Sequence, residues 1–259
     1  VQVDGRLPLA RQQALLDWCD SLSDPREIAG IVANLDGKVP QPHAGGCIAP
    51  RTQRQAAYIA FTSGTTGEPK AIEGTMDGID HFMAWQSGLV GSFCEAPRVS
   101  WLTPLSFDVM YRDLLLPLVT GGTLVIPDAE AGFNIASSWH WLVSERIDVA
   151  HVVPSIVSAW LSAGELPELD LRALFFAGEP LKVPLVAALR RRYAGRIYNL
   201  YGPSEGTMAK FCRLIDDDCP TSGTLYPVGR PIAEDVTYEL AVTGEIVLAS
   251  PHLTNGYRQ

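Results

Sequence analysis

Short apolar segments alternate with amphipathic segments over most of this chain, and no other feature restricts the possible folds as strongly. Strand patterns occur at residues 56–62, 98–103, 123–127, 148–153, 171–178 and 196–202. Helix patterns occur at residues 76–89, 108–119 and 136–146, after Pro154, and at 183–193. Repeated strand–helix units predict an α/β fold of layered, mostly parallel sheets that helices flank on both faces. Ligands in such folds bind where the carboxyl ends of the strands meet.

The two ends of the chain differ from this central part. Residues 8–22 have a helical spacing of apolar residues, and a segment rich in Pro and Gly follows up to residue 55. After Ser204 only strand patterns remain, at residues 207–215, 223–229, 236–240 and 244–250. We therefore expect an N-terminal helix and connection (1–55), an α/β core (56–205) and a small antiparallel or barrel-like β end (206–259). The chain begins with Val, which indicates a piece of a longer protein.

Composition excludes several classes of partner. Twenty Lys and Arg against 29 Asp and Glu give a net charge of −9, whereas binding of nucleic acid needs clustered basic residues. No apolar run approaches the roughly 20 residues that span a bilayer, so a membrane is not an expected partner. The five cysteines form no CxxC pair and no secretory signal precedes them. These features indicate a reducing, cytoplasmic location and no structural zinc.

The most informative motif directly follows the first strong strand pattern. Residues 62–70 spell TSGTTGEPK, in which hydroxyl groups, glycines and Lys70 can surround an anion with N–H and O–H donors. A polyphosphate is the natural ligand for such a loop. A Walker loop is excluded because only two residues separate Gly64 from Gly67, and Ala71 follows the lysine. The plain alternative is a Ser/Thr/Gly turn between two strands.

This loop matches the phosphate loop of the adenylate-forming superfamily, and three later motifs follow in the order that the superfamily has. FAGEPL at residues 176–181 resembles its adenine loop, and NLYGPSE at 199–205 is similar to its YGPTE signature. GRP at 229–231, followed by GEIVLASPHLTNGY, resembles the end of its large domain. The resemblance is strongest to the adenylation domains of nonribosomal peptide synthetases. It implies that 56–205 is an AMP-binding core in which ATP activates a carboxylic, most readily an amino, acid as acyl-adenylate.

The resemblance also implies roles for the nucleotide-site residues. Lys70, Thr66 and Glu205 would be catalytic, and Glu205 would also bind Mg²⁺, which prefers oxygen ligands. Without the motif, Glu205 would be interpreted as a surface residue and Asn199 as a turn cap. ATP would contact Thr62, Ser63, Gly64, Thr65, Thr66, Gly67, Lys70, Gly178, Glu179, Pro180, Asn199, Tyr201, Gly202 and Ser204. Tyr201 would stack on adenine, and Ser204 would contact the α-phosphate.

Residues 106–126 resemble the stretch of peptide-synthetase adenylation domains that binds the substrate's α-amino group through an Asp, here Asp108. Most such domains have Trp where this chain has Arg112. One turn from Asp108, Arg112 could neutralise that carboxylate or pair with the substrate's side chain. Without the motif, Asp108 would be interpreted as a helix N-terminal residue and His151 as a core histidine. The implied acyl pocket consists of Asp108, Val109, Arg112, His151, Phe175, Ala177, Leu200, Met208 and Ala209.

Three functions follow as alternatives from the resemblance. The first is amino acid activation followed by thioester transfer to the phosphopantetheine of a carrier protein domain, with a small helper protein as a possible further partner. The second is a free-standing acyl- or aryl-CoA ligase, and the third is a non-catalytic nucleotide- or acyl-binding module of the same fold. The small C-terminal domain with its lysine, and the aspartate that holds the ribose, are not in this sequence.

Overall fold

A computed structural model describes residues 54–258 except 64–68, 106, 128–133, 135–136 and 165. The predicted helix at 8–22 and residues 23–53 lie outside the described residues. Helices are α1 (Met76–Gly91), α2 (Met110–Thr120), α3 (Ser138–Ser144), α4 (Pro154–Ser162) and α5 (Val183–Leu189), with a 3-10 turn at Ser204–Gly206. Strands are β1 (Ala56–Ser63), β2 (Pro69–Thr75), β3 (Arg98–Ser100), β4 (Thr123–Val125), β5 (Val149–Val152), β6 (Ala173–Phe176), β7 (Arg196–Tyr201), β8 (Phe211–Leu214), β9 (Arg230–Pro231), β10 (Thr237–Leu240) and β11 (Ile246–Ala249).

Seven strands form the central sheet in the order β4-β3-β5-β6-β7-β8-β9. Neighbours from β4 to β7 pair in parallel, and β8 and β9 extend the sheet in antiparallel register. Two antiparallel hairpins, β1–β2 and β10–β11, lie outside it. The prediction of a mostly parallel α/β sheet with small antiparallel elements is confirmed.

Both faces of the central sheet are buried, since side chains alternate along each strand. In β6, Leu174 and Phe176 pack with Trp139 of α3 and Trp160 of α4 in one apolar cluster. Phe175 points to the opposite face and packs in a second cluster with Phe82 of α1 and Leu116 of α2. The helices therefore cover the sheet on both sides, which explains why the central strands have continuous apolar sequences.

The first strand differs from its prediction. A buried strand was expected at 56–62, but Ile59 is 47% exposed and Phe61 is 62% exposed. The reason is that, within the described part of the chain, β1 pairs with β2 alone, in a hairpin that the alternation did not predict. The motif at 62–70 includes the ends of these two strands and the residues that join them, of which 64–68 lie outside the described residues.

Several helices and strands begin or end at residues other than those predicted, or do not form. Helix α2 begins at Met110 and not at residue 108, so Asp108 lies in the preceding turn. Helix α5 ends at Leu189 and not at 193, since the chain turns there and buries Tyr193, whose hydroxyl donates to the Arg196 carbonyl at 2.7 Å. Residues 223–229 form no strand, because this segment bonds mainly to the loop before α5, as in Tyr226 N–H to the Leu181 carbonyl at 3.0 Å.

Among the described residues, the helices are too short or too polar to cross a lipid bilayer.

We expect replacement of a central β6 side chain to destabilise the fold strongly. Phe176 is fully buried, so Phe176→Ala should lower the free energy of unfolding by about 3–5 kcal/mol through lost burial and a residual cavity. The control is Val242→Ala at a fully exposed position, with an expected change below about 0.5 kcal/mol. Urea unfolding followed by fluorescence measures both. Equal changes in the two variants would contradict the two-faced core.

Candidate active site

A cavity of about 470 Å³ lies at the carboxyl ends of β5, β6 and β7, beside the start of α2. It is lined by Leu102, Thr103, Pro104, Phe107, Asp108, Val109, Arg112, His151, Val152, Val153, Ile156, Ala177, Gly178, Glu179, Gly202, Ser204, Met208 and Ala209. Residues from the adenine-loop, YGPSE and acyl-pocket motifs thus meet at one opening. Phe175 and Leu200, also predicted for the pocket, are buried in the core and do not line the cavity.

Asp108 lies at the polar end of the cavity with 7% of its surface exposed. Its Oδ2 accepts long hydrogen bonds from the Tyr58 hydroxyl at 3.4 Å and from the Met208 N–H at 3.3 Å. Burial raises the pKa of Asp108, and these hydrogen bonds and the charge of Arg112 offset that rise only in part. The ionised carboxylate is therefore incompletely compensated within the described residues.

Arg112 has a different carboxylate partner from the one suggested by sequence. Its Nε lies 3.6 Å from Oδ1 of Asp113, while no ion pair with Asp108 forms among the described residues. Both partners are almost completely buried, so neither charge can be compensated by water. Of the alternatives that the sequence left open for Arg112, a direct ion pair with Asp108 is not formed among the described residues, and the neighbouring carboxylate in α2 is the partner instead.

His151 joins the Arg112–Asp113 pair on its other side. Its Nδ1 lies 2.8 Å from Asp113 Oδ1, and its Nε2 lies 2.6 Å from the Nε2 of Gln86. Since the amide N–H₂ of Gln86 donates to this nitrogen, the ring proton belongs on Nδ1, which lies close to Asp113 but makes no well-aligned hydrogen bond among the described residues. Burial, followed by the nearby Arg112, lowers the pKa of His151, which favours the neutral ring. We call Gln86, His151, Asp113 and Arg112 the polar network.

Three residues around Asp108 and the polar network were missed by sequence reasoning. Gln86 lies on the buried face of α1 with Ile79, Phe82 and other apolar residues at helical spacing, so its position in that pattern was a usable signal. Asp113 is likewise a buried acid in an otherwise apolar helix face. Tyr58 gave no such signal, because its contact with Asp108 joins segments fifty residues apart.

The residues predicted to surround adenine divide into two groups. Gly178, with φ of +84°, and Gly202 line the cavity, and a Cβ on Gly202 would lie 2.2 Å from the Met208 carbonyl oxygen. Glu179 also lines it, although its carboxylate accepts from the N–H and Oγ of Ser155 at 2.9 and 2.6 Å.

The other group does not line the cavity. Asn199 is buried, and its amide donates to the Pro227 carbonyl at 2.9 Å. The Tyr201 ring packs at a tilt against Phe211 with centroids 5.9 Å apart. Pro180 is exposed outside the cavity.

The phosphate-loop motif and Glu205 approach each other through Tyr257. Lys70, at the end of the motif, pairs with Thr62 across the hairpin, and its Nζ lies 5.3 Å from the Tyr257 ring centroid. The Tyr257 hydroxyl donates a hydrogen bond to Oε1 of Glu205, which leaves Oε2 without a hydrogen bond among the described residues. Of the other predicted loop residues, Gly64, Thr65, Thr66 and Gly67 lie outside the described residues, as does the side chain of Ser63.

The arrangement combines features suited to binding a nucleotide and a small acid. A carboxylate oxygen of Glu205 is open to a hard cation such as Mg²⁺, and Lys70 supplies positive charge nearby. The adjoining cavity combines mostly apolar walls with a buried carboxylate at one end. Such a site can position two ligands side by side.

Comparison with known proteins agrees with this geometry. The family model described as AMP-binding enzyme matches residues 14–258. The chain is 34% identical over 221 residues to a linear gramicidin synthase of Brevibacillus parabrevis, which covers 80% of the chain and 4% of that protein. It is 32% identical over 216 residues to phosphinothricin tripeptide synthetase PhsB of Streptomyces viridochromogenes, covering 78% of the chain and 18% of that protein.

Solved structures give the same result. PA1221, a protein containing adenylation and PCP domains, superposes with a TM-score of 0.67 at 29% identity, over 85% of this chain and 45% of that one. The adenylation domain AlmE of Vibrio cholerae, in complex with glycyl-adenosine-5'-phosphate, has a TM-score of 0.69 at 24% identity, over 87% and 43%. The chain thus spans less than half of these proteins. It belongs to the AMP-binding enzyme family, the adenylate-forming superfamily that its motifs resemble.

Proposed function

We propose that this chain is part of an enzyme that uses ATP and Mg²⁺ to activate an amino acid as aminoacyl-adenylate, for transfer to the phosphopantetheine of a carrier protein domain. The observation that carries the proposal is the cavity in which the Asp108 carboxylate lies beside Ser204 and the adenine-loop residues. Its relatives among peptide synthetases, and the PCP domain in PA1221, support the carrier partner.

The charges in the cavity favour a substrate with an amino group. Arg112 and Asp113 compensate each other, and His151 is neutral, so the polar network has little net charge of its own. Asp108 remains as a buried carboxylate that lacks a direct cationic partner among the described residues. A substrate ammonium at hydrogen-bond distance would supply that partner and recover much of the desolvation cost.

The walls of the cavity favour an apolar or aromatic side chain of moderate size. Val109, Ile156, Met208 and Ala209 contribute apolar surface beside the polar end. A volume of about 470 Å³ lies within the range of small-molecule pockets, roughly 300–1,000 Å³. The cavity can thus hold an amino acid beside the nucleotide's α-phosphate.

The reaction joins negatively charged groups, so positioning and charge compensation should provide most of the catalysis. When bound, Mg²⁺-ATP supplies the α-phosphorus that the substrate carboxylate attacks, with pyrophosphate as leaving group. Lys70 and the hydroxyl groups of the loop would hold the phosphates, and Thr66 and Lys70 would be its catalytic residues. Glu205 would hold Mg²⁺ through its free Oε2, and Tyr257 would fix the orientation of that carboxylate.

The first test removes the charge of Asp108. In the full-length protein, Asp108→Asn should lower amino-acid-dependent pyrophosphate exchange by about a hundredfold or more, because the ammonium then lacks its counter-ion. Exchange with the corresponding acids that lack the amine should not fall. Asp170→Asn, at an exposed acid outside the cavity, is the matched control. Equal losses with both substrate series would contradict amine recognition.

The second test asks whether Arg112 affects recognition of the substrate's amine by Asp108. Arg112→Trp leaves Asp113 as an unpaired buried charge, so the free energy of unfolding should fall by about 3–5 kcal/mol. The double change Arg112→Trp with Asp113→Asn should recover much of this loss and keep the preference for acids that carry an amine. Urea unfolding and pyrophosphate exchange on one panel of acids measure the two effects. A wild type that prefers acids without an amine, and a shift toward amine-bearing acids on replacing Arg112, would indicate that Arg112 neutralises Asp108 after all.

The third test concerns Mg²⁺. Glu205→Gln should raise the Mg²⁺ concentration for half-maximal exchange on the order of tenfold, since a charged oxygen ligand is lost. Glu239→Gln, at an exposed glutamate on β10, should leave that Mg²⁺ concentration unchanged.

Pyrophosphate exchange that occurs with no acid at all, or that is absent with every acid, would favour a non-catalytic binding module. Exchange coupled to coenzyme A thioester formation would favour a free-standing ligase.

A further inference from the structure

A second cluster of ionisable side chains lies outside the cavity and has no part in the function proposed above. Its members come from three separate segments: His81 and Asp77 from α1, Asp235 from the turn before β10, and His252 from the segment after β11. None of the four lines the cavity. We call these four residues the histidine cluster.

The geometry converges on one carboxylate. Nε2 of His81 lies 3.3 Å from Oδ1 of Asp235, and Nε2 of His252 lies 2.9 Å from Oδ2 of the same residue. The two imidazole rings stack with centroids 4.3 Å apart, and the Nε2 atoms of both rings face the Asp235 carboxylate. One donor atom from each of His81, Asp235 and His252 lies within 4.8 Å of the other two.

The remaining ring nitrogen of His252 has a carboxylate partner of its own. Its Nδ1 lies 2.7 Å from Oδ2 of Asp77, and a nitrogen that faces a carboxylate at this distance carries a proton. Nε2 is therefore the nitrogen that can give up its proton to a metal ion. A carboxylate behind a histidine in this way is the usual support of a metal-bound imidazole, since it orients the ring and raises its basicity.

The charged side chains in and beside the histidine cluster also favour binding of a cation. Lys210 is buried beside His81, with its Nζ 3.2 Å from Nδ1, and contributes at most one positive charge. Asp77 and Asp235 contribute two negative charges. With both rings neutral, as metal binding requires, the carboxylates outnumber the ammonium, so a divalent ion can be accommodated where the two Nε2 atoms now face Asp235.

We propose that His81, Asp235 and His252 form a binding site for a divalent transition metal ion, with Zn²⁺ as the best match and Asp77 as the supporting residue. Two imidazole nitrogens and one carboxylate oxygen suit Zn²⁺, and a water molecule would complete four-coordination. The ion would join α1 to the segments on either side of the β10–β11 hairpin.

Binding of the ion replaces protons at the two rings. A proton on either Nε2 is displaced by the ion, and the Asp235 carboxylate then ligates the ion instead of accepting from the rings. At His81, Nδ1 accepts a proton from Lys210, which becomes a neutral amine and accepts the new Nδ1–H hydrogen bond in return. Binding of the ion is thus accompanied by proton release.

Zn²⁺ binding to metal-free protein tests this site. The full-length protein is titrated with Zn²⁺ in equilibrium dialysis under saturating Mg²⁺, which occupies any site at Glu205. We expect the wild-type protein to bind one Zn²⁺ ion per chain. His252→Gln and Asp235→Asn should each weaken this affinity more than tenfold. Asp77→Asn should weaken binding about 10–100-fold, as expected for a supporting carboxylate. His140→Gln, at an exposed histidine outside the cluster, should change nothing.

Co²⁺ provides a second measurement that is independent of stability and of activity. Co²⁺ bound to the wild type should absorb visible light with the intensity of a four-coordinate site, and this absorption should be lost in His252→Gln. Circular dichroism verifies that the variant remains folded. Wild-type protein that binds no Zn²⁺, or binds it equally after His252→Gln and Asp235→Asn, would overturn the proposal. The cluster would then be a hydrogen-bonded connection among three segments.

Discussion

The register of the three central parallel strands is the constraint on which the rest of the structure depends. It places His151 beside Phe175 and Phe175 beside Tyr198. Their rings stack with centroid distances of 5.0 and 4.7 Å. Side chains alternate along a strand, so the same register buries Leu174 and Phe176 against the helices of the other face. A slip by one residue would remove His151 from the polar network and reverse both cores.

Buried charge is the second organising element. The polar network compensates the charges of Arg112 and Asp113 within itself and keeps His151 neutral beside them, at the cost of taking four polar side chains out of water. Asp108 is separate, although it lies in the same cavity. This division explains how one pocket can contain an arginine and still present a carboxylate to a ligand. The arginine that replaces the usual tryptophan is compensated by a carboxylate next to it in the helix.

Residues 254–258 connect the distant parts of the proposed nucleotide site. Their backbone runs beside β2, with hydrogen bonds from the Glu73 N–H to the Gly256 carbonyl at 3.0 Å and from the Arg258 N–H to the Ala71 carbonyl at 2.9 Å. That path brings Tyr257 between Lys70 and Glu205. The histidine cluster depends on the same return of the chain, because His252 comes just before this segment. One short segment therefore helps to build both sites.

The sequence by itself determined the α/β class, the order of most strands and helices, and the positions of the motif loops at strand ends. These properties depend on local spacing, so residues close in the chain are sufficient to specify them. Local spacing could not identify the hairpin that exposes Ile59 and Phe61, nor the partner of Arg112. It also left Tyr58, Gln86 and Tyr257 without a role, and could not show that Asn199 and Tyr201 lie outside the lining of the cavity. Only the tertiary structure decided these contacts and exposures, because each depends on which segments, distant in the sequence, pack against one another.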